Sequence, residues 1–155
     1  MNDEDTPSQA QEDPSFNFKE VAARTEAASR KFLQGDPGPF LDLFSQSDDI
    51  TVFGGEGGLF QGREAVTRQL KLLAQHATSE ILEITYLASH ANGHIGYTIG
   101  TQRTRLGDGR VATLRVTHIY RFEQGEWRLV HRHGDPNADV NLSGIAAPRQ
   151  ERAGE

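Results

Sequence analysis

The chain has 155 residues, no cysteine and a formal net charge of −6. That length suits one domain with an enclosed core, and the missing thiols exclude disulfides, thiolate nucleophiles and cysteine-held metals. Five acids and no base lie in Met1–Asp13, so the remainder is nearly balanced against its 16 Lys and Arg and lacks the basic excess that nucleic-acid phosphates require.

Residues 1–15 read as a disordered acidic tail, residues 16–137 as the folded domain, and residues 138–155, rich in Gly, Ala and Pro, as a flexible C-terminal tail. Met1 is followed by acidic polar residues, so no secretory signal is expected. No apolar run approaches the ~20 residues of a membrane helix, and a cytoplasmic protein with no membrane partner is expected. Phe18, Val21, Ala22, Thr25, Ala28 and Phe32 recur at helical spacing, with Gly35 as the terminating glycine. Asp36-Pro37 predicts the start of a short second helix through Phe40, Leu41 and Phe44. Ile50–Phe53 reads as a short strand and Gly54-Gly-Glu-Gly-Gly58 as a turn without the Gly-Lys-Ser/Thr ending of a phosphate loop. A third helix is predicted over Arg63–His76, with Val66, Leu70 and Leu73 on one face.

Asn92-Gly93, Asp108-Gly109 and Gln124-Gly125 divide residues 79–135 into four strands of an antiparallel meander. Three helices followed by a meander predict an α+β fold with the helices on one face of the sheet. Taken as two-residue hairpin loops, the turns set a register. One face then carries Leu82, Ile84, Tyr86, Ala88, Tyr97, Ile99, Leu114, Val116, Tyr120, Phe122, Trp127 and Leu129, which is a core face. The opposite face carries polar residues such as Gln102, Arg115, Arg121, Arg128 and Arg132.

Polar residues on the predicted core face are the candidate site: Thr101, Arg103, His118, His131, His133 and Asp135. His118 would lie directly opposite His131, about 4.5–5.5 Å between Cβ atoms. Such a pair suits proton transfer near neutral pH, or a hydrogen-bonded structural role. His131 and His133 with His118 also invite a metal reading, but no carboxylate is placed beside them, and no metal or other cofactor is expected. Arg103 and Asp135 would flank Leu114, either holding a substrate carboxylate or forming an ion pair. Tyr86 and Tyr97 would donate to a developing oxyanion or fill the interior as apolar rings. Asp49 reads as a cap or turn residue.

The runs Thr117-His-Ile-Tyr120 and Gly125-Glu-Trp-Arg-Leu-Val-His-Arg-His133, after Gly62-Arg-Glu-Ala-Val66 at a helix start, resemble the nuclear transport factor 2-like superfamily. Within it, the resemblance is to the SnoaL-like branch and to bacterial relatives of the calcium/calmodulin-dependent kinase II association domain. It implies a cone-shaped curved sheet, a four-strand meander plus a short strand, wrapped around a long N-terminal helix with a pocket at the open end. It also implies homodimers packed through outer sheet faces. Relatives include dehydratases, isomerases, cyclases, epoxide hydrolases and non-catalytic binding or assembly modules. In the kinase association domain the positions matching Ile99 and His118 are arginines of an anion pocket, and here they are not.

The expected protein is therefore a small-molecule-binding homodimer with an apolar or cyclic ligand. If it is an enzyme, the chemistry is cofactor-independent lyase or isomerase chemistry. His118 would carry the proton, His131 would orient it, and Arg103 or Tyr97 would stabilise negative charge. Thr101, Tyr86, His133 and Asp135 complete the expected substrate site. The alternative is a non-catalytic ligand-binding or oligomerisation module.

Overall fold

The computed structural model describes residues 14–137, so the N-terminal tail up to Asp13 and the tail 138–155 lie outside the described residues. A short 3-10 helix at Pro14–Asn17 leads into α1 (Phe18–Leu33), α2 (Gly38–Leu41), β1 (Thr51–Phe53), β2 (Leu59–Gln61), α3 (Arg63–Gln75), β3 (Glu80–Asn92), β4 (Ile95–Arg105), β5 (Val111–Glu123) and β6 (Glu126–Pro136). The strands form one curved, unclosed sheet in the order β2-β1-β6-β5-β4-β3. Every pairing is antiparallel except β1 with β6. The α+β fold with three helices on the sheet is as expected; β2, which pairs with β1, is an additional strand.

The helix ends follow local chemistry. Gly35, at φ +98°, ends α1: its N–H donates to Phe32 O (3.1 Å), and the Asp36 N–H donates to Lys31 O (3.0 Å). These two bonds satisfy carbonyls left free by the last helical turn. Asp36 Oδ1 accepts from Gly38 N–H at 3.1 Å in the turn that leads into α2, but the N-cap position falls on Pro37, one residue later than predicted. Gly62, at φ +87°, precedes α3, whose Arg63 N–H is capped from afar by Asp48 Oδ1 at 2.8 Å.

The first turns of α1 press into the concave face. Phe18 meets Tyr120 (5.4 Å) and Trp127 (5.0 Å) edge-on. The Tyr120 hydroxyl donates to Thr25 Oγ1 (2.8 Å), which donates to the Val21 carbonyl (2.7 Å). On β4 the approach is so close that a Cβ at Gly96 would sit 2.5 Å from the Phe18 ring.

This packing departs from the predicted register. The β4–β5 connection is a five-residue loop, with Arg105 opposite Val111, rather than a two-residue turn at Asp108-Gly109. An odd difference in loop length turns a whole strand over. Gly96, Thr98, Gly100, Gln102 and Thr104 therefore face inward and are buried, while Tyr97, Ile99, Thr101 and Arg103 belong to the outer face of the sheet. The β3–β4 turn centres on Gly93-His94, and Leu82 and Leu87 fall at irregularities in β3. In β6, Val130 is an extra residue between Leu129 (opposite Tyr120) and His131 (opposite Ile119). Beyond that bulge the faces exchange: Arg132 and Gly134 join His118 and Val116 inside, and His131, His133 and Asp135 turn outward.

Gly96→Ala would force the Phe18 ring off its site. The expected loss is about 1–3 kcal/mol, as for other overpacked cores, read from urea denaturation; unchanged stability would show that the helix approach is not a constraint.

Candidate functional site

Towards its C-terminal end α1 no longer fills the concave face, and a cavity of about 320 Å³ opens between it, α3 and the sheet. Its walls are Phe32, Leu33, Phe40, Val52, Phe60, Leu70, Leu73 and Ala77, with Leu114, Gln102 and Arg132 on the sheet. Gly54, Gly55 and Glu56, on the loop after β1, complete the lining. The Glu56 carboxylate folds back over its own loop, into space that a side chain at Gly54 would take.

Among the described residues, Arg132 is the one cation lining this cavity. The bulge at Val130 aims it inward, and Gly134, the next inward residue of β6, leaves room: a Cβ there would lie 2.9 Å from Arg132 Nη1. Among the described residues, no carboxylate lies within 4.0 Å of the guanidinium and no hydrogen bond to it is formed. Desolvation lowers its pKa, opposed by the charge of Glu56.

His118 is buried beside a smaller crevice of about 20 Å³, room for roughly one water. Thr25, Ser29, Thr98 and Gln102 line that crevice with it, and Ser29 and Gln102 also line the larger cavity. His118 Nδ1 lies 3.4 Å from Thr98 Oγ1, and Nε2 has no hydrogen-bond partner among the described residues. Burial, then the Arg132 charge, then His131, push its pKa down to about 3. Tyr86 and Thr101 also border this crevice.

The other expected site residues lie elsewhere. His131 does not face His118: its Nδ1 is 2.7 Å from Thr51 Oγ1 on the outer face, and its ring stacks edge-on against Phe53. His133 is exposed and packs against the same Phe53 ring. The three histidines therefore do not converge on one point. Asp135 is held by Arg115 through Nε (2.8 Å) and Nη2 (2.5 Å), not by Arg103, which is exposed on the outer face. Tyr97, on that same outer face, does not line either cavity. Asp49 pairs with Arg121 through both carboxylate oxygens (2.8 and 3.1 Å), which lowers its pKa to about 2.

The residues that alternation missed are Arg132, Gln102 and Glu56. Arg132 and Gln102 were expected on the polar outer face, and only the Val130 bulge and the β4 loop length reverse them. Gly134 in an otherwise bulky strand is the one sequence sign that a large neighbour shares its face.

Residues 21–136 match the SnoaL-like domain family. No protein of curated function matches the chain by sequence. Among solved structures, a nuclear transport factor 2-like protein of unknown function from Pseudomonas putida KT2440 is 22% identical over 83% of this chain and 89% of its own, with a TM-score of 0.68. A candidate calcium/calmodulin-dependent protein kinase type II association domain from Thiobacillus denitrificans is 17% identical over 77% and 94%, TM-score 0.66. A candidate dehydratase of the nuclear transport factor 2-like family from Streptomyces avermitilis is 17% identical over 79% and 97%, TM-score 0.64. At such identities these structures speak for the fold. With the family match spanning most of the described chain, the protein belongs to the SnoaL-like branch of the nuclear transport factor 2-like superfamily.

Proposed function

We propose that this protein binds a small, largely apolar molecule in the cavity between α1, α3 and the sheet. The observation that carries the reading is the cavity itself: about 320 Å³, walled mainly by aromatic and aliphatic side chains, with a few polar groups at its floor and mouth. That size and lining are typical of small-molecule sites. Membership of a family that supports small-molecule binding points the same way.

A second reading, a cofactor-independent lyase or isomerase, is favoured by one observation: Glu56, the only carboxylate among the described residues that line the larger cavity, shares it with Arg132. The relative described as a candidate dehydratase belongs with that reading. In it, Glu56 moves the proton and Arg132 stabilises negative charge. His118 does not suit the task. With a pKa near 3 it is neutral at physiological pH and too weak a base to accept a proton from a carbon acid efficiently. Its role is that of a neutral hydrogen-bonding group beside the cavity.

We further propose a homodimer through the outer sheet face, where Phe53, Tyr97, Ile99 and Val111 are exposed. Large apolar side chains exposed on a solvent-facing sheet suit an interaction surface.

Three experiments test these readings. The purified protein is titrated calorimetrically with 2-naphthamide, a neutral apolar probe. Binding is expected, and Leu114→Trp, which fills the cavity, should weaken it at least about tenfold while leaving the melting temperature within a few degrees. Binding indifferent to that substitution would place the ligand elsewhere.

The second concerns pH. Because the folded pKa of His118 lies below its unfolded value of 6.5, the unfolded chain binds more protons as pH falls, and stability is lost. The loss runs from pH 6.5 downward at up to about 1.4 kcal/mol per pH unit, with His131, also lowered, adding in the same direction. His118→Gln should flatten the slope between pH 6.5 and about 5, above the main carboxylate range. An unchanged slope would mean that His118 is protonated in the folded state near neutrality, restoring it as a proton carrier.

For the dimer, sedimentation equilibrium should give twice the chain mass for the native protein and a monomer for Ile99→Lys. A native monomer sinks that proposal.

A further inference from the structure

We propose that the ligand of this cavity carries a single carboxylate, held by Arg132. The inference rests on reading the cavity as a ligand site, and it names the chemical class that site takes.

A guanidinium carries a permanent charge and five N–H donors in a planar fork. Drawing it out of bulk water without a counter-charge or hydrogen-bond acceptors is costly, and Arg132 is half-buried, with its guanidinium reached from the cavity. Arg132 is nevertheless turned inward, against the alternation of its own strand, and a glycine at position 134 gives it space. Its neighbours on the inner face supply no balancing charge: His118 is neutral, Val116 and Leu114 are apolar, and Gln102, whose amide N–H donates to Thr104 Oγ1 at 3.1 Å, is uncharged. Apart from Arg103, which is exposed to solvent, other arginines of the sheet behave differently. Arg105, Arg115 and Arg121 each meet a carboxylate within 3.0 Å. Arg132 is thus a charge whose acceptor the described residues do not provide, and its open side is the cavity.

The rest of the lining defines what would complete it. One cation can neutralise one negative charge, so a monoanion fits and a doubly charged phosphate does not. A carboxylate matches the guanidinium fork through two parallel N–H···O bonds. Beyond that floor the walls are apolar, so the ligand's body is hydrocarbon or aromatic. Glu56 stands at the mouth as a weak competitor: it acts on Arg132 through space, beyond ion-pair distance, from an exposed loop. A bound carboxylate would repel it, so removing its charge favours binding.

The full chain is titrated calorimetrically with 2-naphthoate and with 2-naphthamide, two probes of nearly equal shape that differ in charge. Naphthoate is expected to bind at least about tenfold tighter. Arg132→Met should abolish that preference without weakening naphthamide, Arg132→Lys should retain part of it, and Glu56→Gln should strengthen naphthoate alone. If Arg132→Met does not fold, the Arg132→Lys and Glu56→Gln arms decide, because one keeps the charge and the other lies on an exposed loop. Equal affinity for the two probes overturns the carboxylate inference and leaves the cavity reading standing. A preference that survives Arg132→Met assigns the anion to another residue and also overturns it. Binding of neither probe removes the cavity reading and this inference together.

Discussion

The contact of Phe18, the first residue of α1, with Gly96 on β4 organises the molecule. Where Phe18 meets Gly96 there is no space for a methyl group, and the Phe18, Tyr120 and Trp127 rings seal that end of the curved sheet. The Tyr120 hydroxyl extends the seal by a hydrogen bond to Thr25, two turns further along the helix. The other end of α1 is tied to the sheet edge, where Arg30 Nη1 donates to Ile81 O (2.7 Å) and Ser79 N–H donates to Leu33 O (2.9 Å). The cavity lies at that end, beneath Phe32 and Leu33, bounded on one side by this edge contact.

The electrostatics of the cavity are set by the sheet. Outside it, charges are paired: Arg115 with Asp135, and Arg121 with Asp49 and Glu123, the last also bonded to Ser45. These contacts are exposed or half-exposed, and each contributes little to stability. They tie the loop before β1 to β5 and keep the cationic rows of the outer face balanced. Inside, Arg132 stands without such a partner among the described residues. The contrast with these paired outer arginines separates residues that hold the fold from one that faces the cavity.

Much of this was legible in the residues themselves. The three helices, the terminating Gly35, the meander and the inward faces of Tyr120, Phe122, Trp127 and Leu129 all follow from spacing and turn chemistry. What alternation misread was β4, where the apolar residues Tyr97 and Ile99 lie outside and Gly96, Thr98 and Gln102 inside. The rule that apolar residues face the core fails there because a helix in contact with the strand demands small residues. The family resemblance fixed the architecture and was silent on these reversals. The candidate site was therefore only partly readable: His118 does face inward, but its expected companion His131 does not. The cause is Val130, whose bulge carries no signal, since valine is as suited to a regular strand as to an irregular one.

That bulge has a consequence for how such a protein can change. β1 runs parallel to β6 along the displaced stretch, Thr51 beside His131 and Phe53 beside His133, and then leads into the loop bearing Glu56. Were Val130 to take up regular pairing at unchanged chain length, His131 and His133 would replace Arg132 at the cavity floor with no residue substituted, so the bulge alone decides whether that floor is cationic or imidazole.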